Sequence, residues 1–157
     1  MAEISRVTAF GKLNSLGYKA IESATVFCKL RGNPYVELVH WLHQILQLQD
    51  SDLHRIVQHF GLNPSRLAKD FTEALDRLPR GSTSISDLSS HVDAAVESGR
   101  VCATLMFKDA QVRTGHLLIG MLRTPNLRNV LLAISREFDK IKLDELGDRF
   151  GDIVAAS

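Results

Sequence analysis

Val39-His40-Trp41-Leu42-His43-Gln44-Ile45-Leu46 returns 76 positions later as Gly115-His116-Leu117-Leu118-Ile119-Gly120-Met121-Leu122. Two further blocks keep nearly the same spacing. Ala20-Ile21-Glu22-Ser23 recurs as Ala95-Val96-Glu97-Ser98 at a shift of 75, and Leu53-His54-Arg55-Ile56-Val57 as Leu127-Arg128-Asn129-Val130-Leu131 at a shift of 74. A near-constant offset over three blocks marks a tandem repeat. The apolar residues in and around the blocks recur three and four apart, which puts them on one face of a helix, and no segment shows the alternation of a strand. The prediction is an all-α fold in which two similar amphipathic halves bury their apolar faces against one another.

Working outward, turn and cap signals divide the chain. Ile4, Val7 and Phe10 share one face of a short first helix, Glu3 to Phe10, interrupted by Gly11. A longer helix follows from Asn14 to Leu30, with Asn14 or Ser15 as its cap and Arg31-Gly32-Asn33-Pro34 as its stop. Helices are predicted over Tyr35–Leu48, from the caps at Asp50-Ser51-Asp52 to Phe60-Gly61, and from Asn63-Pro64 to Leu78. The run Pro79-Arg80-Gly81-Ser82-Thr83-Ser84 reads as a linker. After it, Ser86 or Asp87 caps a helix through Met106, with further helices over Thr114–Leu122, Asn126–Ser135 and Lys142–Phe150. The boundaries are therefore 1–12 for an added N-terminal helix, 13–78 for the first repeat, 79–85 for the linker and 86–150 for the second repeat. Residues 151–157 read as the start of a further linker.

Composition narrows the function. The 157 residues carry 19 basic and 18 acidic side chains, a net charge of +1, with 45% apolar residues. That balance provides no global attraction to nucleic acid or an anionic membrane. Apolar runs fall far short of the roughly 20 residues a membrane helix needs, and the N-terminus lacks the pattern of a secretory leader, so a cytoplasmic location is expected. Cys28 and Cys102 sit among small and apolar residues and are read as buried, reduced thiols.

At the His-Leu-Leu block the chain resembles the Clp N-terminal domain, a double four-helix repeat that precedes the ATPase modules of Clp-type AAA+ unfoldases. His116-Leu117-Leu118 with Met121-Leu122 carries the likeness, and His40-Trp41-Leu42 with Ile45-Leu46 is the looser copy. Phe10-Gly11-Lys12-Leu13-Asn14, Phe27 to Glu37 and Leu78-Pro79-Arg80-Gly81 are similar to the ClpV branch of that family, which serves type VI secretion. That branch carries an added N-terminal element, which the short first helix matches. The resemblance implies a substrate-recognition domain that binds the N-terminal helix of the large (VipB-like) sheath subunit. ATPase modules outside this chain, with their own ATP and Mg, would then disassemble the contracted sheath. It also implies a monomeric isolated domain and a hexameric full-length protein.

No residues point to catalysis within the chain. The phosphate-cradling Gly-x-x-x-x-Gly-Lys-Ser/Thr motif is absent, as are a Gly-x-Ser-x-Gly elbow and a Cys-x-x-Cys pair. No catalytic residue, metal site or cofactor is expected here. His40 and His43, three apart, could reach one ion, but no further ligand completes a site. His40 and His116 hold equivalent repeat positions, and each is read as partly buried with a ring nitrogen bonded to nearby backbone. Trp41 is read as core. Residues 53–78 also fit a helix-turn-helix, so a DNA-binding regulator is the alternative. Its second helix carries Arg66, Lys69 and Arg77 against Asp70, Glu73 and Asp76, which leaves little attraction to phosphates. Arg123, Arg128, Arg136, Lys140 and Lys142 are read as a solvated face.

The expected recognition mode is a helix laid in an apolar groove. The predicted groove residues are Ile4, Val7, Leu13, Leu16, Ala20 and Ala24, joined by Ile85 and Leu88 just after the linker. The short first helix lies outside the repeated unit, and the linker carries apolar residues where a solvated connector would be polar. Ile4 and Val7 read equally well as a cap on the core, and Phe10 reads as core.

Overall fold

The computed structural model describes residues 10–82 and 87–155. The predicted first helix, with Ile4 and Val7, lies outside the described residues, as does Ile85 in the linker. The first repeat runs α1 (Ser15–Arg31), β1 (Tyr35–Val36), α2 (Leu38–Leu46), α3 (Asp52–Phe60) and α4 (Pro64–Asp76). The second runs β2 (Asp87–Leu88), α5 (Ser90–Val101), α6 (Thr114–Arg123) and α7 (Pro125–Ile134). A 3-10 turn (Arg136–Lys140) follows, and two short helices, α8 (Leu143–Asp148) and α9 (Phe150–Ile153), take the place of the single helix predicted over Lys142–Phe150. Cys102–Met106 continues α5 as a π-helical turn.

Caps explain most of the boundaries. Asn14 caps α1 by accepting from the Gly17 N–H at 2.9 Å, and Gly32 ends it in the left-handed region at φ 72°. Ser51, Asn63 and Ser89 cap α3, α4 and α5 through their side-chain oxygens. At α2 and α6 the device differs. The Nδ1 of His40 accepts from the Glu37 N–H at 2.8 Å, and the Nδ1 of His116 accepts from the Arg113 N–H at 3.0 Å. Each histidine occupies the third helical position, the place usually held by Glu or Gln, and its ring returns to the backbone N–H of the N-cap residue. The paired His positions of the sequence repeat are thus one structural feature used twice. Both rings are fully buried, deeper than the predicted partial burial.

The repeats are joined by two exchanged backbone bridges. Tyr35-Val36 pairs in parallel with Asp87-Leu88, and the Ser89 N–H donates to the Val36 carbonyl at 2.9 Å. Leu13 bridges Val112, also in parallel, with the Asn14 N–H donating to the Val112 carbonyl at 2.9 Å. Leu13 and Leu88 are 75 positions apart, and Val36 and Val112 are 76 apart, so each bridge is the repeat image of the other. The segment ahead of the first helix of each half pairs with the segment ahead of the second helix of the other. Tyr35-Val36 and Asp87-Leu88 are therefore extended, where the sequence predicted helix and cap.

Side chains complete the junction. Arg113 donates to Asp52 through Nε at 2.8 Å and Nη2 at 2.6 Å, and Asp52 also accepts from the Gly115 N–H at 3.2 Å. The Asn33 amide donates to the Pro79 carbonyl at 2.7 Å, which ties the end of the first repeat back to α1. Trp41 is buried and donates its indole N–H to the Gly17 carbonyl at 3.2 Å. Cys28 and Cys102 are buried free thiols. Burial raises both thiol pKa values, that of Cys102 to about 11.

Gly120 lets α5 and α6 cross closely. A Cβ there would lie 2.7 Å from the Ser98 carbonyl carbon and 2.9 Å from the Gly99 nitrogen. Among the described residues no helix is long and apolar enough to cross a membrane.

Candidate functional site

The exposed face of α1 is unusual for a surface helix. Its inner side buries Ala20, Ile21, Ala24 and Cys28, yet Tyr18, Val26 and Leu30 are exposed at 45%, 59% and 81%. Apolar residues thus run around most of the helix instead of along a single stripe. Beside Tyr18 lies a recess of about 410 Å³, with Ile21, Leu88 and Phe10 supplying apolar walls. Tyr18, Glu22 and Thr25 form its rail at i, i+4 and i+7, which spans about 10 Å at 1.5 Å per residue. Thr25 turns its hydroxyl back to the Ile21 carbonyl at 2.9 Å. Phe10 and Leu88 come from outside the repeated helices and converge on α1 here.

The predicted groove residues separate into three groups. Leu88 lines the recess. Leu16 lines a neighbouring polar recess of about 330 Å³, beside Asp52, Asp109 and Arg113. Leu13, Ala20 and Ala24 are buried, Ala24 completely, so the expectation that they meet a ligand directly is corrected: they are core behind the recess wall. Phe10, predicted as core, packs partly buried against the core and also edges the recess.

Tyr18, Ile21, Glu22 and Thr25 were not predicted. On α1 the predicted groove residues are Leu16, Ala20 and Ala24, whereas Tyr18, Glu22 and Thr25 lie on the exposed side. The signal available was the placement of Tyr18, Val26 and Leu30 off the inner face.

Elsewhere a larger recess of about 830 Å³ opens between α2, α3 and α4 over Val57, Leu62, Leu67 and Phe71. It is built wholly from helices of the first repeat, and no element from outside the repeat reaches it.

His40, His43 and His116 are packed into the fold. His40 accepts from Glu37 at Nδ1, so its Nε2 carries the proton that bonds the Asn33 Oδ1 at 2.9 Å. With both nitrogens engaged, His40 has no lone pair for a metal ion. Burial, helped by the charge of Arg31, lowers its pKa to about 4. His43 stacks on Phe27 with ring centroids 4.9 Å apart, and burial followed by the charge of Arg31 lowers its pKa too. Burial likewise lowers that of His116, which packs with Phe107 and Phe150 in a cluster of three mutually contacting rings.

In the helix pair that suggested a DNA reader, two of the three basic residues of the second helix have acidic partners. Arg66 pairs with Asp70 and Lys69 with Glu73, each one turn along α4. On the basic face of the second repeat, Arg128 pairs with Asp139 and Lys140 with Glu137.

Residues 13–138 match the family model for the Clp repeat (R) N-terminal domain. All 157 residues align at 69% identity with the AAA+ ATPase ClpV1 of Pseudomonas aeruginosa, of whose length this chain spans 17%. The fold superposes at a TM-score of 0.96 and 69% identity on a structure solved in work on the coevolution of the ATPase ClpV, the TssB-TssC sheath and the accessory HsiE protein. The match covers 100% of this chain and 97% of that one. A structure described as a complex of ClpV N-domain with VipB peptide superposes at a TM-score of 0.82 over 96% of this chain and 91% of that one. At 22% identity it demonstrates the shared fold.

Proposed function

The chain belongs to the Clp repeat N-terminal domain family, and from that membership we propose that it is the substrate-recognition domain of a ClpV-type AAA+ ATPase of type VI secretion. Its ligand is the N-terminal helix of the large, VipB-like sheath subunit. The observation that carries the reading is the apolar recess on the exposed face of α1, walled by Ile21, Leu88 and Phe10. A short amphipathic helix buries its apolar side there, and no chemistry is asked of the domain. ATP hydrolysis resides in modules outside these 157 residues, and sheath disassembly is the work of the whole protein. The isolated domain is monomeric and the full-length protein hexameric.

A single short helix in a recess of this size binds with micromolar affinity, about −8 kcal/mol. Copies arranged on a hexameric ring raise avidity without new contacts. The smaller recess is preferred to the larger one because Phe10 and Leu88, both outside the repeated helices, are brought to it. The DNA-binding alternative finds no support in α4, whose basic residues Arg66 and Lys69 already have acidic partners.

The test is calorimetric titration of the domain with a synthetic N-terminal peptide of the large sheath subunit, for the wild type and Leu88→Arg. One-to-one binding that Leu88→Arg weakens at least tenfold, with the fold retained by circular dichroism, supports the reading. Equal affinity for both proteins would remove the recess as the site, and no binding to either would remove the sheath peptide as the ligand.

A further inference from the structure

The two repeats treat one glutamate differently. Glu22 on α1 and Glu97 on α5 are equivalent, 75 positions apart in matching Ala-x-Glu-Ser blocks. Glu97 is neutralised on its own helix, because Arg100 donates to it through Nε at 3.1 Å and Nη2 at 2.5 Å. The position equivalent to Arg100 is Thr25, whose hydroxyl bonds the Ile21 carbonyl and offers no charge. Lys19 stands one turn before Glu22 but makes no ion pair with it, and among the described residues Glu22 forms none. The first repeat thus leaves an exposed carboxylate on the rail of an apolar recess, midway between Tyr18 and Thr25.

Resting on the reading of this recess as the sheath-helix site, we infer that Glu22 selects the bound helix by charge: the ligand carries an arginine or lysine on the border of its apolar face, and that cation meets Glu22. The apolar walls supply contact area without direction. A lone carboxylate at the middle of the rail fixes which way the helix lies and how far along it sits, and it disfavours helices with acidic borders. Thr25 matters by leaving that carboxylate free.

The experiment is fluorescence anisotropy with the labelled N-terminal peptide of the large sheath subunit. A second peptide has its basic residues replaced by glutamine. Both are titrated against the wild type, Glu22→Gln, Thr25→Arg and Leu88→Arg at 50 mM and 500 mM salt. At low salt Glu22→Gln is expected to weaken the native peptide about fivefold, the upper range for a partly exposed ion pair. High salt should shrink that difference below about twofold. Thr25→Arg, which restores the intrahelical pairing of the second repeat, should weaken the native peptide but hardly change binding of the glutamine peptide. The glutamine peptide should bind wild type and Glu22→Gln alike. If Leu88→Arg loses the peptide while Glu22→Gln binds within twofold of wild type at low salt, the recess stands and the charge selection is overturned. If Leu88→Arg is also without effect, the recess itself is the wrong site.

Discussion

Acid should unfold this domain through the histidines that cap its second helices. His40 is fully buried and neutral, with Nδ1 accepting from Glu37 and Nε2 donating to Asn33. Protonation would put a proton on Nδ1, break the Glu37 bond and charge a ring that burial and Arg31 both disfavour charging. The pKa of the folded state is about 4 against 6.5 for an exposed histidine. The unfolded chain therefore takes up a proton that the folded one refuses, and stability falls as pH drops from about 6.5 toward 4. With those two values the loss from His40 is about 2 kcal/mol at pH 5 and about 3 kcal/mol below pH 4. His116 holds the equivalent position, and its pKa is lowered by the same cause, so it adds to the slope in the same direction. The assay is urea unfolding between pH 7.5 and 5, followed through Trp41, the sole and buried tryptophan. The comparison is His40→Gln, since glutamine at that helical position can still accept from the Glu37 N–H without a titrating ring. This variant should be less stable at pH 7.5, where it loses the Asn33 bond, yet its stability should fall about 2 kcal/mol less by pH 5. Parallel pH dependences for the two proteins would refute the reasoning.

Other changes should act at the junctions of the fold. Gly120→Ala places a Cβ 2.7 Å from the Ser98 backbone. Overpacking of about 1–3 kcal/mol, offset by about 1 kcal/mol of helix propensity, predicts a net loss of up to about 2 kcal/mol by urea unfolding. Asp52→Asn removes the charge that anchors Arg113 across the repeats. Because the Arg113 side chain is 32% exposed, the expected cost is about 2 kcal/mol, below that of a fully buried pair, and a melting temperature unchanged within a degree would contradict it. The Cys28 and Cys102 thiols, buried and raised in pKa, should resist alkylation by iodoacetamide at pH 8 in the native state. They should react promptly in denaturant, as mass spectrometry would record.

Helix content, the repeat and most helix ends were legible in the residues because their causes are local. Asn14, Ser51 and Asn63 cap within three residues, and Gly32 and Gly61 stop helices by their own backbone freedom. The burial of Trp41, Cys28 and Cys102 followed from apolar spacing. The equivalence of His40 and His116 showed in the offset, although their role in closing caps did not, since that role depends on a ring rotamer packed in the core.

Tertiary structure alone decided what depends on pairing between halves. Tyr35-Val36 reads as the start of a helix until Asp87-Leu88, brought from 52 positions away, satisfies its backbone. The same non-local pairing moves the cap of α5 to Ser89. The site divides in the same way. Of the predicted groove residues, Leu88 lines the recess beside α1. Which strip of α1 faces outward was not legible in the sequence, because that helix carries apolar residues around most of its circumference and periodicity cannot rank its faces. Packing against α2 chose Ala20 and Ala24 for the core, and by that choice left Tyr18, Glu22 and Thr25 on the open side.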